Sequence, residues 1–351
     1  ALATAATAAS VSGFEVLRYD TGALGAQSMA NFTANSGFTT IDANVAALIT
    51  TSNATDTVTT LRSTTTGGSH TLTRLIDGSS NSVTIEADTS GNDATVFAAI
   101  TANNEESITL TSGSHTDEDL TVTTLTSSDL TTLTLTGTGD AIITNAIASA
   151  TSLATVTATG LTGAATANAT NSTVAMTMTA GNGGATFTSG SGDDTITGGT
   201  GVDILTGGTG KDTISAGAGA DTTIDGGAGA DTLTGGGGDD NFVMTITQGV
   251  SATSMIDNST GNAIAATVVI AAGDQVVFGN GVDRITDFTA GGTTDDINTL
   301  VSGAATTGIG VSNTDMVGGG ADDIFFFSGA FNTSTNTFTI AADGVGADTL
   351  I

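Results

Sequence analysis

Residues 189–243 read SGSGDDTIT GGTGVDILT GGTGKDTIS AGAGADTTID GGAGADTLT GGGGDDNFV. The unit is nine residues long: two small residues, any residue, Gly, any, Asp, any, a large apolar residue, any. The aspartates are Asp194, Asp203, Asp212, Asp221, Asp231 and Asp240, spaced 9, 9, 9, 10 and 9 apart, the 10 arising from one extra residue in TTID. The apolar position holds Ile196, Leu205, Ile214, Ile224, Leu233 and Phe242. Glycine allows turn conformations closed to other residues and a close approach of backbone. The three residues around each apolar position read as a short strand with one side chain inward. Two units make one coil, so alternate units stack, bringing Asp194 towards Asp212 and Asp231, and Asp203 towards Asp221 and Asp240. Two bare carboxylates at about 4 Å repel by about 4 kcal/mol at an effective dielectric of 20. A hard, oxygen-preferring cation removes that cost. A flexible Gly-rich linker would have no reason to hold Asp and an aliphatic residue in register for six units.

This pattern resembles the RTX nonapeptide family, G-G-x-G-x-D-x-U-x, and the resemblance implies a Ca²⁺-binding parallel β-roll holding several ions. In that family each ion takes two carbonyls and an Asp from each of two stacked turns. One site would then use Gly190, Gly192, Asp194, Gly207, Thr209 and Asp212, and a second Gly199, Gly201, Asp203, Ala216, Ala218 and Asp221. The pair Asp212/Asp231 would build a third with Gly208, Gly210, Gly226 and Ala228. The pair Asp221/Asp240 would build a fourth with Gly217, Gly219, Gly235 and Gly237.

The first 180 residues contain no nonapeptides but carry a longer rhythm. Val58, Val83, Ile108, Leu133, Val156 and Met176 sit in short alternations of apolar residues with Thr, at steps of 25, 25, 25, 23 and 20. Ile196 and Ile214 follow at 20 and 18. GFEVL at Gly13 and GFTTI at Gly37 repeat at 24. Half-way strands are expected in DLTVTTL at Asp119 and AIIT at Ala141. Apolar/Thr alternation is a strand signal. A period that shrinks into that of the nonapeptides predicts one continuous all-β chain: a right-handed parallel β-helix or solenoid over 1–180, running into the roll over 181–243. Evenly spaced strands would also suit a β-sandwich. SLATVTATG at Ser152 and DLTTLTLTG at Asp129 are near copies, and such rungs before a nonapeptide block resemble bacterial S-layer proteins of the Caulobacter type.

Three isolated units follow: FGNGVDRIT with Asp283, VGGGADDIF with Asp322, and DGVGADTLI with Asp348. They predict that 244–351 extends the roll with looped-out segments, helical around 262–272, and add three candidate metal aspartates. DRITDF with TDDI resembles the segment that follows the repeats in RTX proteins. The ending Asp348-Thr349-Leu350-Ile351 suits both a type I secretion signal and a last strand of the roll. The beginning, ALATAATAAS, has neither Met nor a signal-peptide pattern and reads as processed or truncated.

Of 351 residues, 35 are acidic and 5 basic, a formal net charge of −30. Such a chain repels nucleic acid and bare anionic membranes and attracts divalent cations. The absence of Cys excludes disulfides and thiol nucleophiles. No apolar run reaches the length of a transmembrane segment. There is no H-E-x-x-H motif and no G-x-S-x-G elbow, which argues against the metalloproteases and lipases that carry such repeats. A glycosidase carboxylate pair stays open, although one Tyr and no Trp are a poor supply for sugar stacking. His70 and His115 are expected on exposed turns, and Arg18, Arg62, Arg74, Lys211 and Arg284 as solvated singletons. Glu105–Glu106, Asp117–Glu118–Asp119 and Asp295–Asp296 are expected to be exposed acidic clusters that Ca²⁺ could bridge.

The leading expectation is a non-enzymatic, secreted, Ca²⁺-dependent structural protein on the bacterial cell surface. It would be exported by type I secretion and would self-assemble as an S-layer, with surface polysaccharide as a partner reached through Ca²⁺. A Ca²⁺-dependent adhesin or biofilm matrix protein is the alternative. A third reading is the non-catalytic part of a larger RTX enzyme or toxin.

Overall fold

The computed structural model describes residues 94–244 without a break, most of 38–87, and short segments elsewhere between 16 and 350. Among the described residues every regular element is a strand. From Val16 to Met244, consecutive strands alternate between two sheets, so each coil places one strand in each. Both sheets have twelve strands, and every pairing within them is parallel. This is a β-solenoid, as the merging of the two periods predicts.

Inward positions build the core. Val83, Ile108, Leu133, Val156, Met178, Ile196, Ile214 and Leu233 stack in register along one sheet. Phe187, Leu205, Ile224 and Phe242 stack along the other. None of these twelve exceeds 2% exposure. Each fully buried side chain of this kind stabilises the fold by roughly 1.5–3 kcal/mol. The half-way strands expected from the sequence are Leu120–Thr126 and Ala141–Ile143, and they pair with each other in the second sheet.

The register corrects two positions of the rhythm. Thr60 pairs with Thr84, so Val83 stands opposite residue 59 and not Val58. Met178, not Met176, pairs with both Val156 and Ile196. In AMTMT both methionines suit the alternation, and both are buried. Only Met178 lies on a strand, while Met176 falls in the turn before it. Nor is the tightening smooth. The first coils step 24, 20 and 24 before the run of 25.

Outward positions carry mainly hydroxyls on the first sheet. One column runs Thr84, Thr109, Thr134, Thr157, Thr179, Thr197, Ser215 and Thr234. Two residues earlier in each strand a second runs Ser107, Thr132, Thr155, Thr177, Thr195, Thr213 and Thr232.

Several polar groups expected at the surface lie inside. His70 is 2% exposed, in the strand Gly68–Arg74, edge-on to Phe97 with ring centroids 5.8 Å apart. Burial pushes its pKa down to about 4. Arg74 is buried as well. It donates to both carboxylate oxygens of Glu105 at 2.6 and 2.8 Å and to the carbonyls of Val58 and Ser82. Glu105 and Glu118 are each 1% exposed, which removes them from the set of exposed acidic clusters. Glu118 accepts from the backbone N–H groups of Ser114 and His115 and closes a turn. A charge spacing in sequence does not say which side of a coil faces in. His115 is exposed, as expected.

Past Met244 the solenoid gains one more coil. Arg284–Ile285 pairs with the strand Thr232–Gly237, and Asp296–Thr299 pairs with Asn241–Met244. The other described strands form a separate six-stranded sheet containing Ala252–Ile256, Gln275–Phe278, Ala305–Thr307, Ile324–Asn332, Thr337–Ile340 and Asp348–Leu350. All but one of its pairings are antiparallel. The extension of the roll therefore holds for a single coil. Asp348 stands antiparallel to Gly329, in no coil of the roll. Asp322, Asp295 and the expected helix at 262–272 lie outside the described residues.

Candidate metal-binding roll

The turns set the positions of everything else. Gly208 and Gly210 have φ of 98° and 129°, a region L side chains avoid. A Cβ on either would run into the carbonyl of Gly190 or Gly192 in the coil beneath. Coils are tied to each other by backbone bonds at these turns. Thr209 N–H donates to Gly190 O at 3.0 Å, Ala218 N–H to Gly199 O at 2.9 Å, and Ala228 N–H to Gly208 O at 2.7 Å.

The aspartates stack as two ladders, one at each side of the roll. In the first, the N–H of Met176 donates to Asp194 Oδ1 at 2.7 Å, and Asp194 N–H donates to Asp212 Oδ1 at 2.8 Å. Asp212 N–H donates to Asp231 Oδ1 at 2.8 Å, and Asp231 N–H to Asp283 Oδ1 at 3.0 Å. In the second, Ala185 N–H donates to Asp203 Oδ1 at 2.6 Å, Asp203 N–H to Asp221 Oδ1 at 2.8 Å, and Asp221 N–H to Asp240 Oδ1 at 3.0 Å. The extra residue before Asp231 does not break the ladder. It is taken up where a coil lengthens from 18 residues to 19. All six roll aspartates are at most 2% exposed.

Each carboxylate thus spends Oδ1 on the neighbouring backbone. The Oδ2 atoms of Asp194, Asp212, Asp221 and Asp231 are buried without a hydrogen-bond partner. Buried, unsatisfied carboxylate oxygens are costly. Burial is the main cause that raises the pKa of Asp212 to about 7 and of Asp221 to about 6; their N–H donors lower it, and neighbouring aspartates add to the rise. Burial likewise pushes Asp194, Asp203 and Asp231 up, and Asp283 to about 7.

This donor set suits Ca²⁺. Its residues offer orphaned carboxylate oxygens with turn carbonyls close by, and Ca²⁺ accepts six to eight such oxygens. Among the described residues no three acidic or histidine side chains converge as a metal cluster. A cation in the roll must therefore draw most of its ligands from backbone carbonyls. A bound ion would supply the positive charge that the stacked carboxylates lack.

Three features escaped the sequence pattern. Counting back from Asp194 in nines gives Ala185 and Met176, so residues 171–188 form two further units without Asp, which cap the two ladders. Asp287 accepts from the N–H groups of Gly235 and Gly236 at 2.9 and 2.7 Å and fastens the added coil to the roll. The Ser189 hydroxyl donates to the carbonyl of Gly207, one of the expected ligands. The aspartate spacing signals the first of these and the DRITDF segment contains Asp287, while nothing local in sequence signals the bond made by Ser189.

A family model described as the RTX calcium-binding nonapeptide repeat, four copies, matches residues 188–222 and 223–243. No curated protein matches the chain, and no solved structure does. Pattern, ladder geometry and family match agree: residues 188–243 are RTX calcium-binding nonapeptide repeats, and they form the roll of a parallel β-solenoid.

Proposed function

We propose that the chain is a secreted structural protein that assembles with copies of itself on the bacterial cell surface when Ca²⁺ is present, as an S-layer. The observation that carries this reading is the junction of a long solenoid with a Ca²⁺ roll in one unbroken pair of sheets. Coils that contact only their neighbours give an extended body with long lateral surfaces. At a formal charge of −30, copies repel until the charge is neutralised or bridged. Monovalent salt shortens the Debye length to about 8 Å at 0.15 M but does not bridge carboxylates at contact. Ca²⁺ does both. Extracellular Ca²⁺ modules bind at about 10⁻⁴–10⁻³ M, so the roll stays open in a cytosol poor in Ca²⁺ and closes after export. That order of events suits passage through a type I channel. Surface polysaccharide bridged through Ca²⁺ is the anchoring partner of this reading.

The test is electron microscopy of the purified protein in millimolar Ca²⁺ against Na⁺ at matched ionic strength. Sheets or filaments that disperse on chelation support the proposal. Monomers over a wide concentration range, with the roll demonstrably folded, reject it in favour of an adhesin.

A further inference from the structure

Residues paired across a parallel sheet stand about 4.8 Å apart, and residues two apart along a strand roughly 6.6 Å apart. On the outer face of the first sheet this grid is filled by hydroxyls. From residue 107 to residue 234 the two columns hold only Thr and two Ser, with no charge, on a chain of formal net charge −30. The one register shift along this stretch lies beyond Thr134, so both columns cross it intact.

The second sheet serves as a control within the molecule. It is built from the same coils, yet its outward column reads Thr121, Ile142, Thr166, Thr186, Ile204 and Thr223. Strand propensity is met equally by Ile and Thr. Folding alone therefore does not demand the uniform hydroxyl grid. Nor do most of its hydroxyls hold coils together; Thr234, at the last coil of the run, is the exception, sharing a hydrogen bond with the Thr286 hydroxyl at 2.7 Å. Threonines at the coil corners, such as Thr131 and Thr138, donate to carbonyls of the neighbouring coil. Among the described residues, Thr109, Thr134, Thr179 and Thr195 donate to none.

A rigid, uncharged grid that repeats in two directions at these distances fits a ligand that repeats in two directions at the same scale. A single polymer chain repeats along one direction only. The faces of an ice crystal repeat in two, with equivalent oxygens at spacings of this size. Thr methyl groups order the water above them, while the hydroxyls bond to it, and bridging water is nearly as favourable as a direct bond. We propose that this face binds ice, through ordered water that joins the crystal lattice.

The test uses the full chain in saturating Ca²⁺, partitioned into a slowly growing ice hemisphere, with thermal hysteresis measured in parallel. The protein should be enriched in the ice and should separate melting from freezing. Exclusion from ice to the degree of an unrelated acidic protein, with no hysteresis, overturns the proposal. That result needs no variant. Thr134→Tyr with Thr157→Tyr should cut incorporation at least tenfold, while Thr166→Tyr with Thr186→Tyr on the second sheet should leave it within twofold. Circular dichroism and Ca²⁺ binding verify that both variants are folded. Equal losses from the two pairs also overturn it. So does loss of self-association, without enrichment in ice, caused by the first pair alone.

Discussion

The backbone N–H of Asp212 donates to Oδ1 of Asp231 at 2.8 Å, while Oδ2 of Asp231 is buried with no hydrogen-bond partner. One oxygen of the carboxylate holds the coils in register and the other is left for a cation. This division recurs at Asp194, Asp212 and Asp221, whereas Asp203 Oδ2 accepts from the N–H of Gly199 at 2.8 Å.

The first prediction concerns folding. Without a cation the orphaned oxygens oppose closure of the roll, whereas among the described residues of 107–161 no carboxylate oxygen is buried without a partner. Chelation should therefore remove amide-exchange protection across 189–243 and spare 107–161. Equal protection of the roll with and without chelator would refute the coupling.

Asp212 has a ladder aspartate on either side, but Asp194 has one, because Met176 holds the next position. Asp212→Ala should lower bound Ca²⁺ by about two ions and Asp194→Ala by about one, if each ion is shared between stacked aspartates. Calorimetry or metal analysis gives the stoichiometry. Equal losses would count against shared ions.

The pH dependence follows from the raised carboxyl groups. Folded values of about 7 for Asp212 and about 6 for Asp221 lie above the unfolded value near 4. In chelator these groups favour the folded state fully below about pH 4, and that contribution is lost as pH rises through about 6 to 7. Ca²⁺ needs the ionised form, so its affinity should rise over the same window with release of protons. Thermal melts in chelator and Ca²⁺ titrations at pH 5.5 and 7.5 should move in opposite directions. Parallel movement would be the wrong sign.

At Gly207 a Cβ would collide with Asp212 Oδ2 and with the carbonyl of Gly226. The same unit position carries Ala216, fully buried, before Asp221. Gly207→Ala should destabilise the roll by about 1–3 kcal/mol, the usual range for overpacking, and weaken Ca²⁺ binding. Ala216→Gly should leave the Ca²⁺ stoichiometry unchanged. Denaturant melts in Ca²⁺ separate the two.

The ion pair of Arg74 with Glu105 lies far from the roll in sequence and is fully enclosed. Arg74→Ala leaves a buried carboxylate uncompensated, a loss of about 3–5 kcal/mol. The melting shift should be the same with and without Ca²⁺. A shift that Ca²⁺ rescues would tie this pair to the roll.

The nonapeptides and the Thr alternation were legible because each repeat encodes its own local geometry. A glycine turn, an inward residue and a short strand recur at a fixed step, so stacking and the two aspartate ladders follow from counting. Counting fails where two residues suit one position, as with Met176 and Met178, and where the step changes. It fails also where burial depends on contacts between distant coils. Arg74 and Glu105 are 31 residues apart, and neither has a neighbour in sequence that announces the pair. Asp283, which joins Asp231 across 52 residues, was announced by its own nonapeptide unit, whereas the antiparallel sheet that takes up the remaining C-terminal strands was not. Local turn chemistry and period determined the solenoid and its candidate ligands. Which polar groups are enclosed, and where the coil stops repeating, was decided by non-local packing. Such contacts exist only once separate coils have come into register.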